Sequence, residues 1–226
     1  MHRKLPVYLL LDTSGSMAGE PIEAVKNGVQ LLVSTLRQDP HALETAYLSI
    51  IGFGSTAAVL VPLSELAAFQ PPTLAASGTT SMGAALKLLA TQVDVEVTRT
   101  TADTKGDWKP LVFLMTDGMP TDNWQAGLDE LRKRKVGTVV ACAAGQQCDE
   151  GVLKQITEIV VRLDTADSST ITMGTVMNPY KPVSGATAML AMNATRSAPL
   201  RSDSRPPVVA SSANGMPYAR KLSPMS

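Results

Sequence analysis

The most constraining stretch of the chain is its first apolar run, Leu5-Pro6-Val7-Tyr8-Leu9-Leu10-Leu11, together with the residues that end it, Asp12-Thr13-Ser14-Gly15-Ser16. An uncharged run with this strand propensity predicts a strand buried on both faces, the kind found in parallel sheets covered on both sides. It stops at a carboxylate, two hydroxyls two residues apart and a glycine suited to a tight turn. Oxygen groups at the carboxyl end of a buried parallel strand stand where open α/β sheets hold their ligands.

The rest of the chain alternates. Ile22, Val25, Val29, Leu32, Val33 and Leu36 keep a helical period over residues 20–36, with Pro21 in the first turn and Asp39-Pro40 as the end. A second strand is expected over 47–53, and a short antiparallel edge strand over 57–61. Residues 62–72 read as a connector with one helical turn at Glu65-Leu66. Gly78-Thr79-Thr80-Ser81 precede a helix over 82–97, whose inner face is Ala85, Leu86, Leu89, Ala90 and Val93. Residues 98–109 read as a polar surface insertion. A third buried strand, 110–116, again ends in a carboxylate, Asp117-Gly118. A helix capped by Asp122 over 122–135, a strand over 138–143, a helix over 150–157 and a last strand over 159–163 complete the series. This alternation predicts an α/β fold: an open, mostly parallel, Rossmann-like sheet with helices on both faces and one antiparallel edge strand.

Two units are expected: a folded domain over 1–166 and a Ser/Pro/Met-rich tail over 167–226. Between Ile171 and Ser226 the only acid is Asp203, against Lys181, Arg196, Arg201, Arg205, Arg220 and Lys221. The tail composition predicts disorder, with one short helix at most, over 184–195. Across the whole chain, 20 basic and 20 acidic residues cancel, which removes the global field expected of a nucleic-acid or acidic-membrane binder. Aromatic residues make up only 4%, too few for base-stacking platforms. Cys142 and Cys148 alone cannot form a disulfide scaffold, and they fit a reducing compartment. His2-Arg3-Lys4 ahead of the apolar run imitates a signal peptide, but Pro6 and Asp12 argue against export, and no apolar stretch reaches the roughly 20 residues of a membrane helix.

Three loops share one chemistry: Asp12, Ser14 and Ser16; Thr79 and Thr80; and Asp117. Loops after the central strands of such a sheet lie side by side at one edge. Oxygen ligands without histidine or cysteine suit Mg²⁺, Mn²⁺ or Ca²⁺ rather than zinc. Two carboxylates and several hydroxyls would leave such an ion under-neutralised and open to an acidic group from a partner. Singly, the same residues are ordinary: Ser14, Ser16, Thr80 and Ser81 are good helix caps, and Asp117-Gly118 is a good turn.

Taken together, Asp12-x-Ser14-x-Ser16, Gly78-x-Thr80 and Asp117-Gly118 resemble the metal-ion-dependent adhesion site (MIDAS) of von Willebrand factor A (VWA) domains, over roughly residues 5–163. Within that family, LPVYLLLDTSGSMAGEPIEAVKNGVQLL and FLMTDGMPTDNW are most similar to the bacterial TerY-like proteins of tellurite-resistance and stress clusters. The resemblance implies metal ligation by Ser14, Ser16, Thr80, Asp12 and Asp117, directly or through water, with Mg²⁺ or Mn²⁺ ahead of Ca²⁺. Thr80 is preferred to Thr79 because Thr80 to Leu86 gives the family spacing, and a one-residue shift would turn the following helix by about 100° against its own apolar face. Thr79 and Trp124 are expected at the partner-binding rim. Implied partners are a protein that supplies a carboxylate and, from the same clusters, a Ser/Thr kinase and a PP2C-like phosphatase; the implied location is cytoplasmic. No membrane or nucleic-acid partner is expected.

Two other functions compete. A metal-dependent phosphohydrolase would use Asp12 as nucleophile, but it would want a second carboxylate where Ser14 stands. A phosphorylation-switched adaptor would use the many Ser and Thr residues. Neither His2 nor His41 lies on a strand-end loop, which disfavours a Ser-His-Asp hydrolase. The family's closing amphipathic helix has no counterpart in residues 171–177, so the sheet face near 159–163 is expected to be less well covered, or covered by a partner.

Overall fold

The computed structural model describes residues 3–117, 119–144 and 148–163. The tail, the helix expected over 184–195 and the segment 171–177 lie outside the described residues, as does Gly118.

The first apolar run forms β1 (Leu5–Asp12), with every residue buried. Its side chains alternate between two cores. Leu5, Val7, Leu9 and Leu11 face one layer with Ile22, Val25, Val29, Leu32, Val33 and Leu36 of α1 (Glu20–Arg37). Tyr8 and Leu10 face the other, with Met82, Ala85, Leu86, Leu89 and Val93 of α3 (Met82–Glu96) and Trp124, Leu128 and Leu131 of α4 (Trp124–Arg132). A strand sandwiched this way must be apolar on both faces, which is why its sequence is a continuous run rather than an alternation.

The remaining strands are β2 (Ala46–Phe53), β3 (Ala57–Glu65), β4 (Leu111–Thr116), β5 (Val139–Ala144) and β6 (Val160–Leu163). They form one sheet in the order β3-β2-β1-β4-β5-β6, parallel except for β3. The chain first winds from β1 to β2 and then crosses to the other side of β1 with β4. The point where the strand order reverses therefore lies between β1 and β4, where such sheets open a crevice beyond the strand ends. Thr116 closes β4 beside Asp12, since Leu11 is in register with Met115.

Three local expectations change. Asp39-Pro40 ends α1 but also begins a further helix, α2 (Pro40–Thr45), with Asp39 Oδ1 accepting from the His41 and Ala42 amides. An acidic N-cap followed by proline at the first helical position is a start signal as well as a stop. The edge strand runs on to Glu65 rather than ending at Val61, and the turn follows at residues 66–68. Pro62 is tolerated because β3 is an edge, with shifts in its register against Leu48, Ile50 and Ile51. Finally, α4 starts at Trp124 with Asn123 as its cap, its Oδ1 accepting from the Ala126 amide, so Asp122 is released for another role.

The insertion over 98–109 is tied to the far end of the sheet. Asp107 accepts from the amides of Lys4 and Thr98, the Trp108 amide donates to the Lys4 carbonyl, and the Arg3 guanidinium lies 3.8 Å from the centre of the Trp108 ring. α5 (Glu150–Ile156) is capped by Asp149, which accepts from the Gly151 amide. No helix among the described residues is long and apolar enough to cross a membrane.

Candidate metal centre

Asp12 sits at the end of β1 with no exposed surface. Its Oδ1 accepts from the Ser14 amide at 2.8 Å, and its Oδ2 accepts from the Thr116 hydroxyl at 2.5 Å. Burial raises the Asp12 pKa above the usual carboxylate range; the hydrogen bonds from Ser14 and Thr116 oppose the rise, and the Asp117 charge adds to it. A cation beside such a carboxylate would favour its charged form.

Residues 15–17 form a single 3₁₀ turn, which brings the Ser14 and Ser16 hydroxyls to 3.0 Å from each other. Ser14 is buried and Ser16 exposed, so the pair runs from the floor of the crevice to its mouth. The second loop is bound to the first through the backbone: the Gly15 amide donates to the Gly78 carbonyl and the Ser77 amide to the Thr13 carbonyl. Gly78 adopts φ +79°, and an added Cβ would strike the Ser55 hydroxyl. Glycine there is a steric requirement of the loop crossing. Ser55 supports the loop further, its Oγ accepting from the Thr79 amide and its carbonyl from the Ser81 hydroxyl. Thr80 is buried at 4% exposure and Thr79 is exposed.

Asp117 follows β4, its Oδ1 accepting from the Met119 amide. From the same loop, Thr121 reaches the Thr80 loop, and Asp122 accepts from the Gly83 and Ala84 amides at 2.8 and 2.9 Å. Asp122 is thus an N-terminal cap, but of α3 rather than of the helix that follows it. Thr116, Thr121, Asp122 and Ser55 were not singled out by the sequence as parts of the site. The repeated Thr-Asp at 116–117 and 121–122 is the only local signal they leave.

Trp124 is 7% exposed and packs into the α3–α4 layer, so it offers no free ring at the rim. The exposed apolar side chain beside Asp117 is Met119, at 57%. Trp124 opens α4 and is buried between α3 and α4, whereas Met119 lies on the loop before that helix.

The donor set fits a hard divalent cation. Asp12 and Asp117 offer carboxylate oxygen, and Ser14, Ser16 and Thr80 offer hydroxyl oxygen, the ligand type of such ions; among the described residues no group of three or more His, Cys, Asp and Glu side chains suits a metal. Cys148 lies nearby, its thiol donating to the Thr116 carbonyl at 3.8 Å. Burial and the Asp117 charge push its pKa up to about 11, away from the range of a reactive thiolate. Cys142 belongs to the opposite core layer from Cys148, so the two do not form a redox pair.

A family model for the von Willebrand factor type A domain matches residues 7–173. The chain belongs to this family. Comparison with curated proteins finds no match. Solved structures with the same fold include manganese-loaded TRAP protein of Plasmodium vivax, 24% identical with a TM-score of 0.53, the match covering 74% of this chain and 70% of that one. Proximal thread matrix protein 1 from the mussel byssus, with a zinc-occupied MIDAS motif, is 20% identical with a TM-score of 0.51, covering 75% of this chain. The pilus adhesin SpaC of Lactobacillus rhamnosus GG is 16% identical with a TM-score of 0.54, covering 74% of this chain and 28% of that one. The VWA chain described here spans 46% of the length of the mussel protein. At these identities the likeness establishes the fold.

Proposed function

We propose that this VWA domain is a non-enzymatic, metal-dependent protein-binding module in which Asp12, Ser14, Ser16, Thr80 and Asp117 hold Mg²⁺ or Mn²⁺. The observation that carries the reading is the buried Asp12 carboxylate at the point where the strand order reverses, with the paired Ser14 and Ser16 hydroxyls on the loop that follows it and the Thr80 loop bound to that loop through Gly15 and Gly78. When bound, the cation would supply an open coordination position for a carboxylate of the partner. Ser14 and Ser16 would offer neutral oxygen, which leaves net positive charge to attract that carboxylate. Thr79 and Met119, both exposed, stand at the mouth where partner side chains would lie. The manganese and zinc reported for the TRAP and mussel proteins support a divalent cation here.

An Asp12 nucleophile is disfavoured, since Ser14 stands where such chemistry would want a second carboxylate. The phrases around Asp12 and Asp117 carry the narrower proposal of a TerY-like role in a bacterial tellurite-resistance or stress system, cytoplasmic and working with a Ser/Thr kinase and a PP2C-like phosphatase.

Mn²⁺ titration of the purified protein, followed by loss of the free-ion paramagnetic signal, tests the metal reading. Binding by the wild type that is lost in Asp12→Ala and in Ser14→Ala is expected. Absence of wild-type binding, or binding indifferent to both substitutions, overturns it. Affinity capture with and without EDTA tests the docking role, since partners that depend on the site should leave when the metal does.

A further inference from the structure

We propose that Thr121 and Asp122 are positioning residues of the centre: without touching the metal themselves, they hold Thr80 where it can ligate. This inference rests on the metal-binding reading above.

Thr80 and Asp117 stand on different loops, and nothing local in the sequence fixes one relative to the other. Thr121 provides the link. Its amide donates to the Thr80 carbonyl at 2.9 Å, and its hydroxyl accepts from the Thr80 amide at 3.1 Å and lies 3.2 Å from the Thr80 carbonyl. Both polar groups of the Thr80 backbone are therefore held by one residue of the Asp117 loop. Asp122 adds a second fastening. The first turn of a helix leaves amides without intrahelical partners, and Ser81 at the cap position of α3 makes no side-chain cap. The Asp122 carboxylate satisfies the Gly83 and Ala84 amides instead, one with each oxygen. Close packing removes the remaining slack: a Cβ on Gly127 of α4 would lie 2.8 Å from the Gly83 Cα, and one on Gly83 would lie 2.5 Å from the Asn123 carbonyl oxygen. The start of α3, the Thr80 backbone and the loop carrying Asp117 thus form one body.

Supporting groups that orient ligands without binding the ion commonly alter metal affinity by about 10- to 100-fold when replaced. Asp122→Asn keeps the size but sets an amide NH₂ against a backbone N–H. Thr121→Val removes the hydroxyl, and Thr121→Ser restores it. Mn²⁺ affinity is expected to fall about 10- to 100-fold in Asp122→Asn and Thr121→Val and to return in Thr121→Ser. In the metal-free protein, hydrogen exchange should quicken at the Thr80, Gly83 and Ala84 amides in Asp122→Asn while the β1 amides keep their protection. Wild-type Mn²⁺ affinity in both Asp122→Asn and Thr121→Val overturns the positioning role, as does a loss of protection spread evenly over the domain with affinity unchanged. A wild type that binds no Mn²⁺ overturns the metal reading and the positioning role together. Wild-type binding with unaltered variants overturns the positioning role alone.

Discussion

Thr116→Val removes one hydrogen-bond donor of the buried carboxylate. Valine keeps the volume and the β-branched shape that suit the end of β4, but it removes the hydroxyl that donates to Asp12 Oδ2 at 2.5 Å. Thr116 and Asp12 have no exposed surface, so water cannot replace the donor. A hydrogen bond to a charged group contributes about 1.5–3 kcal/mol, which for a domain of this size corresponds to a fall in Tm of about 3–12 °C. The deficit depends on pH. Burial outweighs the hydrogen bonds and, with the Asp117 charge, holds the folded-state pKa of Asp12 above its unfolded value. Such a group contributes stability that is present below the unfolded pKa, about 3.9, and is lost as pH rises through the folded pKa. Losing the Thr116 donor raises the folded pKa further. The variant's deficit should therefore be small in acid, grow as pH passes through the raised pKa of the wild type, and level off above that of the variant. Urea unfolding of both proteins in EDTA, followed by circular dichroism from about pH 4 to about pH 8, measures this directly. A deficit of equal size at both ends of the range, or none at neutral pH, would refute the account of Asp12.

Two further substitutions test the close approaches that shape the site. Gly127→Ala places a Cβ 2.8 Å from the Gly83 Cα and should destabilise the domain by about 1–3 kcal/mol, read as a lower urea midpoint with an unchanged slope; wild-type stability would show that α3 and α4 part without cost. Gly78→Ala meets both a φ of +79° and the Ser55 hydroxyl, and should lower Tm and weaken Mn²⁺ binding; Ser55→Ala in the same chain should recover only part of the loss, and a full recovery would mean that the backbone conformation carries no penalty.

Much of the fold was legible because its signals are periodic. The six strands of the described sheet and most of its helices follow from apolar runs and 3.6-residue patterns. The misses have local causes. Asp39-Pro40 carries both a stop and a start, and Pro62 argues against a strand only where both edges are paired. Trp124 shows a different limit: its position after a loop does not say whether the ring faces the crevice or the core, and packing between α3 and α4 decides it.

For the site, the sequence alone determined which residues stand at strand ends and what chemistry they offer: Asp12, Ser14, Ser16, Thr80 and Asp117 are oxygen donors whatever surrounds them. It also pointed to β1 as a strand buried on both faces, since seven consecutive uncharged residues offer no polar face to solvent. Only the tertiary structure decided that β4 lies beside β1, that Thr116 therefore donates to Asp12, and that Asp122 caps α3 rather than α4. The physical reason is separation along the chain. A turn or a helical period is settled by neighbours within about four residues, so composition and spacing reveal it. The contacts from Asp12 to Thr116 and from Gly83 to Asp122 span 104 and 39 residues, and strand order and packing close them.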